Sequence, residues 1–414
     1  MPFLQIRRNF DFVPRDIFQA LDQGRTIVGL LQSCIAVGSL CTWVVLHPNV
    51  PESRSQSQSQ SDASRDTLKP FLERWRDKIP WEDFRMMGIA LIAPEAMFAL
   101  ALRQYGAARY FHKAHKLSMT HGFFIVMGGF VTKDGRHPIT TKSLADDYAA
   151  AIKQIDEQDI ADKSKDDILG KIITLLQLFA FIATYCARVK EGLQISALET
   201  STLGLALIQC LTGFLWLNKP QRVSQAIPLD SPIDQEWEKQ SMLDPESIDS
   251  STHEGNIVCS SLDAIGKTLN GVLFGRYPDF KPLRESRVPR FWSGDLEDNL
   301  HLFSQLVCAS VLGCVHLLAW STHSTFFPSL TEMWLWRVSA LMLAISPILC
   351  VTLLLIKNGF TAGSIPRVLL AYLTYGVAAL YIIARGALLI LCLTTLRGAP
   401  PELLVSVDWR SLFH

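Results

Sequence analysis

The chain has 414 residues, of which 49% are hydrophobic and 19% are charged, and its formal net charge is zero. Soluble domains carry about 25% charged residues, so this chain is more apolar than a typical soluble protein. Its zero net charge and its lack of long basic stretches with interleaved aromatic residues argue against nucleic acid as a partner. The apolar residues are concentrated in blocks of about 17 to 24 residues, long enough for a helix to cross a bilayer.

Seven such blocks predict an all-α fold, a polytopic membrane helix bundle of about seven transmembrane helices embedded in a lipid bilayer. The predicted spans, in chain order, are 27–46, 86–102, 172–187, 197–217, 303–321, 338–356 and 368–391. Two long polar loops, predicted to be partly helical, separate these blocks.

The other segments are predicted to be polar connections. They are an N-terminal tail (1–26), a Ser/Gln linker with an amphipathic helix (51–84), a polar loop (103–171), a second long polar loop (218–302) and a tail (392–414). Within the first long loop, 119–130 is apolar but too short to cross a membrane, which indicates a re-entrant or interfacial segment. Lysine and arginine are more numerous in 1–26 and in both long loops than on the other side. The positive-inside rule therefore places these segments in the cytosol and the C-terminus across the membrane.

Glu95 lies in the second predicted span, directly after Pro94. A carboxylate inside a span is costly unless it faces the bundle interior or has a partner, so Glu95 is a functional candidate. Pro94 removes one helical hydrogen-bond donor and favours a kink at this point. Arg385, within the seventh span, is the candidate partner, and a purely structural pairing of the two is an equally good interpretation.

Three residues form a candidate acid/base set: Glu95, His121 and His316. They would act together only if they converge on one cavity. The candidate binding residues are Arg385, Gln177 and Gln209, in the seventh, third and fourth spans, although amides in spans often serve as hydrogen-bond donors between helices.

No pattern indicates a metal or a cofactor. The nine cysteines show neither disulfide spacing nor a CxxC pair, and free cysteines in apolar blocks behave as small hydrophobic residues. His112 and His115 share a helix face, but no acidic residue or cysteine completes a recognised ligand set. Phosphate-binding loops and a nucleophile elbow are also lacking.

Several distinctive short motifs are spread along the chain. They are His47-Pro48-Asn49-Val50-Pro51, Ala93-Pro94-Glu95, Thr120-His121-Gly122-Phe123-Phe124, Met127-Gly128-Gly129-Phe130, Asn218-Lys219-Pro220, Phe291-Trp292-Ser293-Gly294, Ala319-Trp320 and Leu335-Trp336-Arg337. In these motifs the sequence resembles a large family of mostly uncharacterised fungal multi-pass membrane proteins. The resemblance implies a membrane location and a fungal source, and it supplies no catalytic residues.

The function that these features favour is a membrane-embedded enzyme or accessory protein of fungal secondary metabolism. It would act on a lipophilic small molecule such as a terpenoid or polyketide, in the endoplasmic reticulum or another endomembrane, with the plasma membrane as an alternative. A transporter of a small molecule and a receptor-like or scaffold protein are the alternatives. Whether the chain is an enzyme stays open at this level.

Overall fold

A computed structural model of the chain describes residues 25–50, 81–133, 137–164, 168–223, 225–230, 277, 280–283, 285–294, 300–321, 327–361 and 364–408. Three predicted features therefore lie largely outside the described residues. They are the N-terminal tail, the Ser/Gln linker with its amphipathic helix, and the middle of the second long loop.

The described part of the chain is almost entirely helical, which confirms the all-α fold class. The α-helices are α1 (Ile27–Val45), α2 (Trp81–Ile92), α3 (Pro94–His115), α4 (Met119–Val126), α5 (Lys142–Asp147), α6 (Ala149–Ile152), α7 (Glu157–Lys163), α8 (Ile168–Lys190), α9 (Ala197–Leu215), α10 (Leu300–Leu317), α11 (Leu330–Asn358) and α12 (Ile365–Thr394). Short 3-10 helices follow at Leu318–Ser321, Thr395–Gly398 and Pro401–Leu404.

Five of these helices are long and apolar enough to cross a membrane, namely α1, α8, α9, α11 and α12. The number rises to six if α2 and α3 together count as one span. This is fewer than the predicted seven. The apolar part of α10, Leu306–Leu317, is shorter than a full crossing, and the predicted second span is broken in two. The chain is therefore an all-α, polytopic membrane protein.

The break in the second predicted span lies at Ala93, where α2 and α3 meet at an angle of 112°. Pro94 is the first residue of α3, a position where its missing N–H costs nothing and its fixed φ favours a helix start. Glu95 follows in the first turn, where a carboxylate is stabilised by the helix dipole. Pro94 thus begins a new helix instead of kinking a continuous one.

The long helices expose large apolar side chains that water would not favour. On α8, the exposed fractions of Leu175, Leu176 and Phe179 are 63%, 65% and 74%. A contiguous apolar surface of this kind marks contact with another apolar phase, and in a helix of this length that phase is lipid.

The chain divides into two compact units. Unit one comprises Met1–Cys41, Ile172–Leu207 and Ala309–His414, and unit two comprises Thr42–Lys171 and Ile208–Cys308.

Unit two is built on the packing of α3 against α4. Ser118 caps α4, because its hydroxyl accepts a hydrogen bond from the His121 backbone N–H at 3.3 Å. A Cβ atom on Gly122 would lie 2.3 Å from the Ala108 carbonyl oxygen, so the two helices touch through backbone at this point. The predicted re-entrant segment 119–130 is consequently a short helix with a buried core face, followed by β1 (Phe130–Val131).

A pair of short strands holds the start of the second long loop, 218–302, in unit two. Strand β1 pairs in parallel with β2 (Ile227–Pro228), so that Phe130 faces Ile227 and Val131 faces Pro228. The backbone N–H groups of Ile227 and Leu229 donate to the carbonyls of Gly129 and Val131 at 2.7 and 2.9 Å. The first part of loop 218–302 is therefore held against the α4 region.

Unit one is dominated by the hairpin of α11 and α12, whose helices run antiparallel because only a short connection joins them. Helix α10 packs closely against α11, since a Cβ atom on Gly313 would lie 2.3 Å from the Ala344 backbone nitrogen. Small residues at such crossings let membrane helices approach until their backbones touch.

The segment before α1 and the tail after α12 lie at the same end of unit one. Arg188, in the last turn of α8, donates to the Leu403 and Val405 carbonyls at 3.1 and 2.7 Å. Arg25, two residues before α1, also donates to the Leu403 carbonyl. We infer from these contacts that the segment before α1 and the tail after α12 lie on one side of the membrane, which differs from the predicted orientation. Charges in loops longer than about 60 residues bear little on orientation, and such loops supplied most of the predicted asymmetry.

We expect an N-terminal and a C-terminal epitope tag on the full chain to lie on the same side of the membrane. In sealed membrane vesicles, added protease should remove both tags or neither, and detergent should expose any protected tag. Cleavage of only one tag in intact vesicles would contradict the topology inferred from the contacts of Arg25 and Arg188.

Candidate functional site

The structure distributes the predicted polar residues over both units. Glu95, His121 and Gln209 lie in unit two, and Gln177, His316 and Arg385 lie in unit one. Within unit one, Arg385 and His316 lie close enough to interact electrostatically. The convergence of Glu95, His121 and His316 on one cavity stays a prediction, as does the pairing of Glu95 with Arg385.

His121 is held by hydrogen bonds at both ring nitrogens. Its Nδ1 lies 2.8 Å from the Ser118 hydroxyl, and its Nε2 lies 2.9 Å from the Ile155 carbonyl oxygen. Because a carbonyl can only accept, Nε2 carries the proton that Ile155 binds, and the ring also stacks on Phe130 at 6.4 Å. His121 thus connects the start of α4 to the chain before α7, which is a structural role.

Gln209 pairs a carbonyl that the break between α2 and α3 leaves open at the end of α2. In a continuous helix, the residue at position 94 would donate its N–H to the Ala90 carbonyl, but a proline has no such donor. The Gln209 side-chain amide donates to this carbonyl at 3.2 Å instead. An unpaired carbonyl in an apolar interior is costly, so the amide of α9 stabilises the break between α2 and α3.

His316, like His121, has a backbone partner. Its Nδ1 lies 2.7 Å from the Leu312 carbonyl oxygen one turn earlier in α10. Its ring packs against Trp336 of α11, with ring centroids 5.9 Å apart. These contacts position the imidazole between two helices of unit one.

A cavity of about 320 Å³ opens in unit one between α1, α8 and the start of α9; we call it the α1–α8 cavity. Its lining residues are Arg25, Gly29, Leu30, Ser33, Cys34, Gln177, Ala180, Phe181, Thr184 and Glu199. Gln177 is the only one of the six predicted site residues in this lining, so one candidate binding residue does border a cavity.

The charged groups at this cavity compensate each other. The Arg25 guanidinium donates to one carboxylate oxygen of Glu199. The other oxygen accepts from the backbone N–H and the hydroxyl of Ser196, each at 2.9 Å. The Glu199 N–H in turn donates to the Ser196 hydroxyl at 3.1 Å, which completes a capping box at the start of α9.

Arg188 lies close to this pair and is equally well bonded. Besides the tail carbonyls, it donates to the Gln194 carbonyl from Nε at 3.1 Å and from Nη2 at 2.6 Å. Buried charges are tolerated when hydrogen bonds satisfy them in this way. Arg25 and Glu199 therefore add no net charge to the polar end of the α1–α8 cavity.

The remaining polar groups of the cavity wall are uncharged. The Thr184 hydroxyl donates to the Ala180 carbonyl at 2.8 Å, which leaves its oxygen able to accept. Within the described part of the chain, the side chains of Gln177 and Ser33 have no hydrogen-bond partner. The cavity can thus accept a molecule with a hydroxyl or carbonyl group and a lipophilic body.

A cluster of polar and aromatic side chains is buried in unit two, and we call it the Lys219 cluster. Its members are His47, Asn49, Gln104, Trp216, Lys219 and Trp292. The Lys219 ammonium donates to the His47 carbonyl, to Gln104 Oε1 at 2.8 Å and to Asn49 Oδ1 at 3.4 Å. It also lies 4.7 Å from the centre of the Trp216 ring, a cation–π contact.

Burial holds the pKa of Lys219 well below its usual value, and among the described residues no carboxylate pairs with it. The unfolded chain therefore binds more protons than the folded chain in the alkaline range below the usual lysine pKa. Through this group the free energy of unfolding rises as the pH increases through that range.

Asn49 and Gln104 extend the Lys219 cluster to distant segments. The Asn49 amide donates to the carbonyls of Pro289, Arg290 and Trp292 at 3.0, 3.1 and 3.3 Å. The Gln104 amide donates to the Trp292 carbonyl at 2.7 Å, and its oxygen accepts from Trp216 Nε1 at 3.0 Å. Three motifs that are far apart in sequence meet here, which gives the cluster a structural role.

Sequence reasoning missed these groups for identifiable reasons. Ser196 and Glu199 have the spacing of a capping box, so this signal could have been found. Lys219 lies two residues after the apolar block 197–217, where a lysine is normally expected to extend towards water, and Gln104 had no distinguishing pattern.

The comparisons with known proteins add one match. A family model described as a family of unknown function (DUF8562) matches residues 101–262, which include α3 from its middle onward and the helices up to α9. No curated protein matches the chain, and no solved structure matches it. The class of protein therefore rests on the helices themselves, and the match is to an uncharacterised family.

We expect Gln104→Leu to destabilise the protein by roughly 2 to 4 kcal/mol, because it removes hydrogen-bond partners from the buried Trp216 and Lys219 side chains. Thermal unfolding of the detergent-solubilised full chain would measure this change. Gln154→Leu is the matched control, since Gln154 is exposed and belongs to the same unit. Equal melting temperatures for the two variants would show that the Lys219 cluster does not stabilise unit two.

Proposed function

We propose that the chain is a multi-pass membrane protein that binds an uncharged lipophilic small molecule in the α1–α8 cavity. The observation that carries this proposal is the chemistry of the cavity wall. The Arg25–Glu199 ion pair, whose charges cancel, is part of this wall, and Gln177 supplies an amide with no partner within the described part of the chain. The rest of the wall is largely apolar.

The size of the cavity supports a small ligand. Its volume of about 320 Å³ is near the lower end of the range for small-molecule pockets. The apolar wall, including Leu30 and Phe181, favours the hydrocarbon part of a ligand, whereas Gln177 can orient a single hydroxyl or carbonyl group. Because Arg25 and Glu199 neutralise each other, the cavity wall offers an ionic ligand no uncompensated charge, so the proposal specifies a neutral ligand.

In the wider proposal, the ligand is a terpenoid or polyketide intermediate and the chain acts in fungal secondary metabolism at an internal membrane. The geometry favours an accessory or binding role over a catalytic one. His121 and His316 are bonded to backbone carbonyls, and none of the candidate acid/base residues lines the α1–α8 cavity. Any catalysis by Glu95, His121 and His316 is a further proposal that needs their convergence.

We expect a photoactivatable farnesol analogue, a neutral terpenoid alcohol, to label peptides of α1 and α8 in membranes that contain the full chain. Gln177→Leu should reduce the labelling roughly fivefold, because one uncharged hydrogen bond contributes about 1 kcal/mol. Quantitative mass spectrometry of the labelled peptides provides the measurement.

Gln32→Leu is the matched control, since Gln32 is exposed on α1 and does not line the cavity. A photoactivatable fatty acid serves as the anionic comparison probe. The proposal is wrong if Gln177→Leu leaves the labelling unchanged, or if the fatty acid labels the same peptides more strongly than the farnesol analogue.

A transporter is the second candidate, and the broken helix favours it. Interrupted helices with polar groups at the break form the substrate sites of many secondary transporters. Here α2 and α3 meet at 112°, and Glu95 is 95% buried at the start of α3. In this proposal, the Glu95 carboxylate takes part in binding or in proton coupling.

If the chain exports a lipophilic product, Glu95→Gln and gene deletion should both raise the cell-to-medium ratio of that product. Glu402→Gln is the matched control, because Glu402 is exposed in the tail. Metabolite profiling of cells and medium distinguishes the two proposals. An exported product retained in cells indicates transport, whereas loss of the product with accumulation of a precursor indicates a role in synthesis.

A further inference from the structure

A cluster of two tryptophans and one arginine lies where the 3-10 helix after α10 ends and α11 begins; we call it the Arg337 cluster. The Arg337 guanidinium lies 5.0 Å from the centre of the Trp320 ring and 5.4 Å from that of Trp334. We propose that the Arg337 cluster binds the phosphate group of an anionic phospholipid. This inference is independent of the α1–α8 cavity.

The guanidinium retains hydrogen-bonding capacity in this arrangement. Its Nη2 donates to the Trp320 carbonyl at 3.3 Å. Its Nε is buried and has no hydrogen-bond partner within the described part of the chain. An arginine fork that is held in place by two aromatic rings, and that bonds the described part of the chain through Nη2 alone, suits a phosphate group with several acceptor oxygens.

The charge of Arg337 is not neutralised by the protein in the described residues. The nearest acidic residue along α11 is Glu332, and its carboxylate binds Arg397 at 2.9 Å. None of the described acidic side chains forms an ion pair with Arg337. A cation at this position therefore attracts an anion from outside the chain.

The location of the cluster selects a lipid as the source of that anion. Trp334 is 56% exposed, and the exposed residues Val338, Leu341 and Ile345 continue its face along α11 at helical spacing. This row is the lipid-facing side of a span, and Trp334 stands at its beginning. Tryptophan and arginine at the end of a span lie at the level of the headgroups, where phosphate is available.

Native mass spectrometry of the full chain in a neutral detergent can test the proposal. The probes are phosphatidylglycerol and phosphatidylcholine with the same acyl chains. We expect the wild-type chain to retain phosphatidylglycerol in preference to phosphatidylcholine. Arg337→Gln should lower the affinity for phosphatidylglycerol roughly tenfold, as expected for the loss of a charge-assisted hydrogen bond.

The control is Arg367→Gln, which removes the same charge at the start of α12, the opposite end of the hairpin. Arg367 is half-buried and donates to the Phe360 carbonyl at 3.0 Å. Phosphatidylglycerol binding should be unchanged in this variant. An equal loss in both variants would indicate general electrostatic attraction and would overturn the proposal, as would wild-type binding by Arg337→Gln.

Two further measurements cover folding and the identity of the anion. Arg337→Lys keeps the charge, so it should fold and retain part of the preference for phosphatidylglycerol; complete loss of that preference together with a wild-type melting temperature would contradict the role of charge. Excess inorganic phosphate should not displace phosphatidylglycerol from the wild-type chain, because the Trp334 side chain contacts the lipid as well. Displacement would show that the cluster binds free phosphate and would overturn the proposal.

Discussion

The structure depends on the pairing of backbone carbonyl groups wherever an apolar helix stops or breaks. Carbonyls left without a donor in an apolar interior cost several kcal/mol each. Long polar side chains supply the missing donors in both units. Gln209 donates to Ala90 behind the proline, Arg188 donates to the tail, and Asn49 donates to the segment that contains Trp292. Gln209 thus pairs a carbonyl at a helix break, and Arg188 and Asn49 pair carbonyls of segments outside the α-helices.

This requirement changes the interpretation of polar residues inside apolar blocks. A glutamine or histidine in such a block first suggests a ligand-binding or catalytic group, as Gln209 and His121 did. Both bind backbone carbonyls in the structure. Gln177 differs from them, because it has no such partner within the described residues and it borders a cavity. A polar group whose local bonds are incomplete is thus the better functional candidate.

The sequence predicted single helices well and their connections poorly. The block 27–46 corresponds to Ile27–Val45 and the block 197–217 to Ala197–Leu215, because apolar length alone decides such helices. The break at Ala93 could not be read from hydropathy, since Pro94 permits either a kink or a new helix. The contacts of Arg188 with the tail join residues far apart in sequence, and charge counts do not report such contacts. The Lys219 cluster was hidden for the same reason.

The length of the last hairpin has a consequence for the surrounding lipid. At 1.5 Å per residue, the 29 residues of α11 and the 30 residues of α12 each extend over roughly 45 Å, compared with a hydrocarbon core of about 30 Å. Tilting of the pair, or local thickening of the bilayer, takes up this excess. Bilayer thickness therefore acts on the hairpin directly, and thin and thick membranes stabilise different tilts of the same two helices.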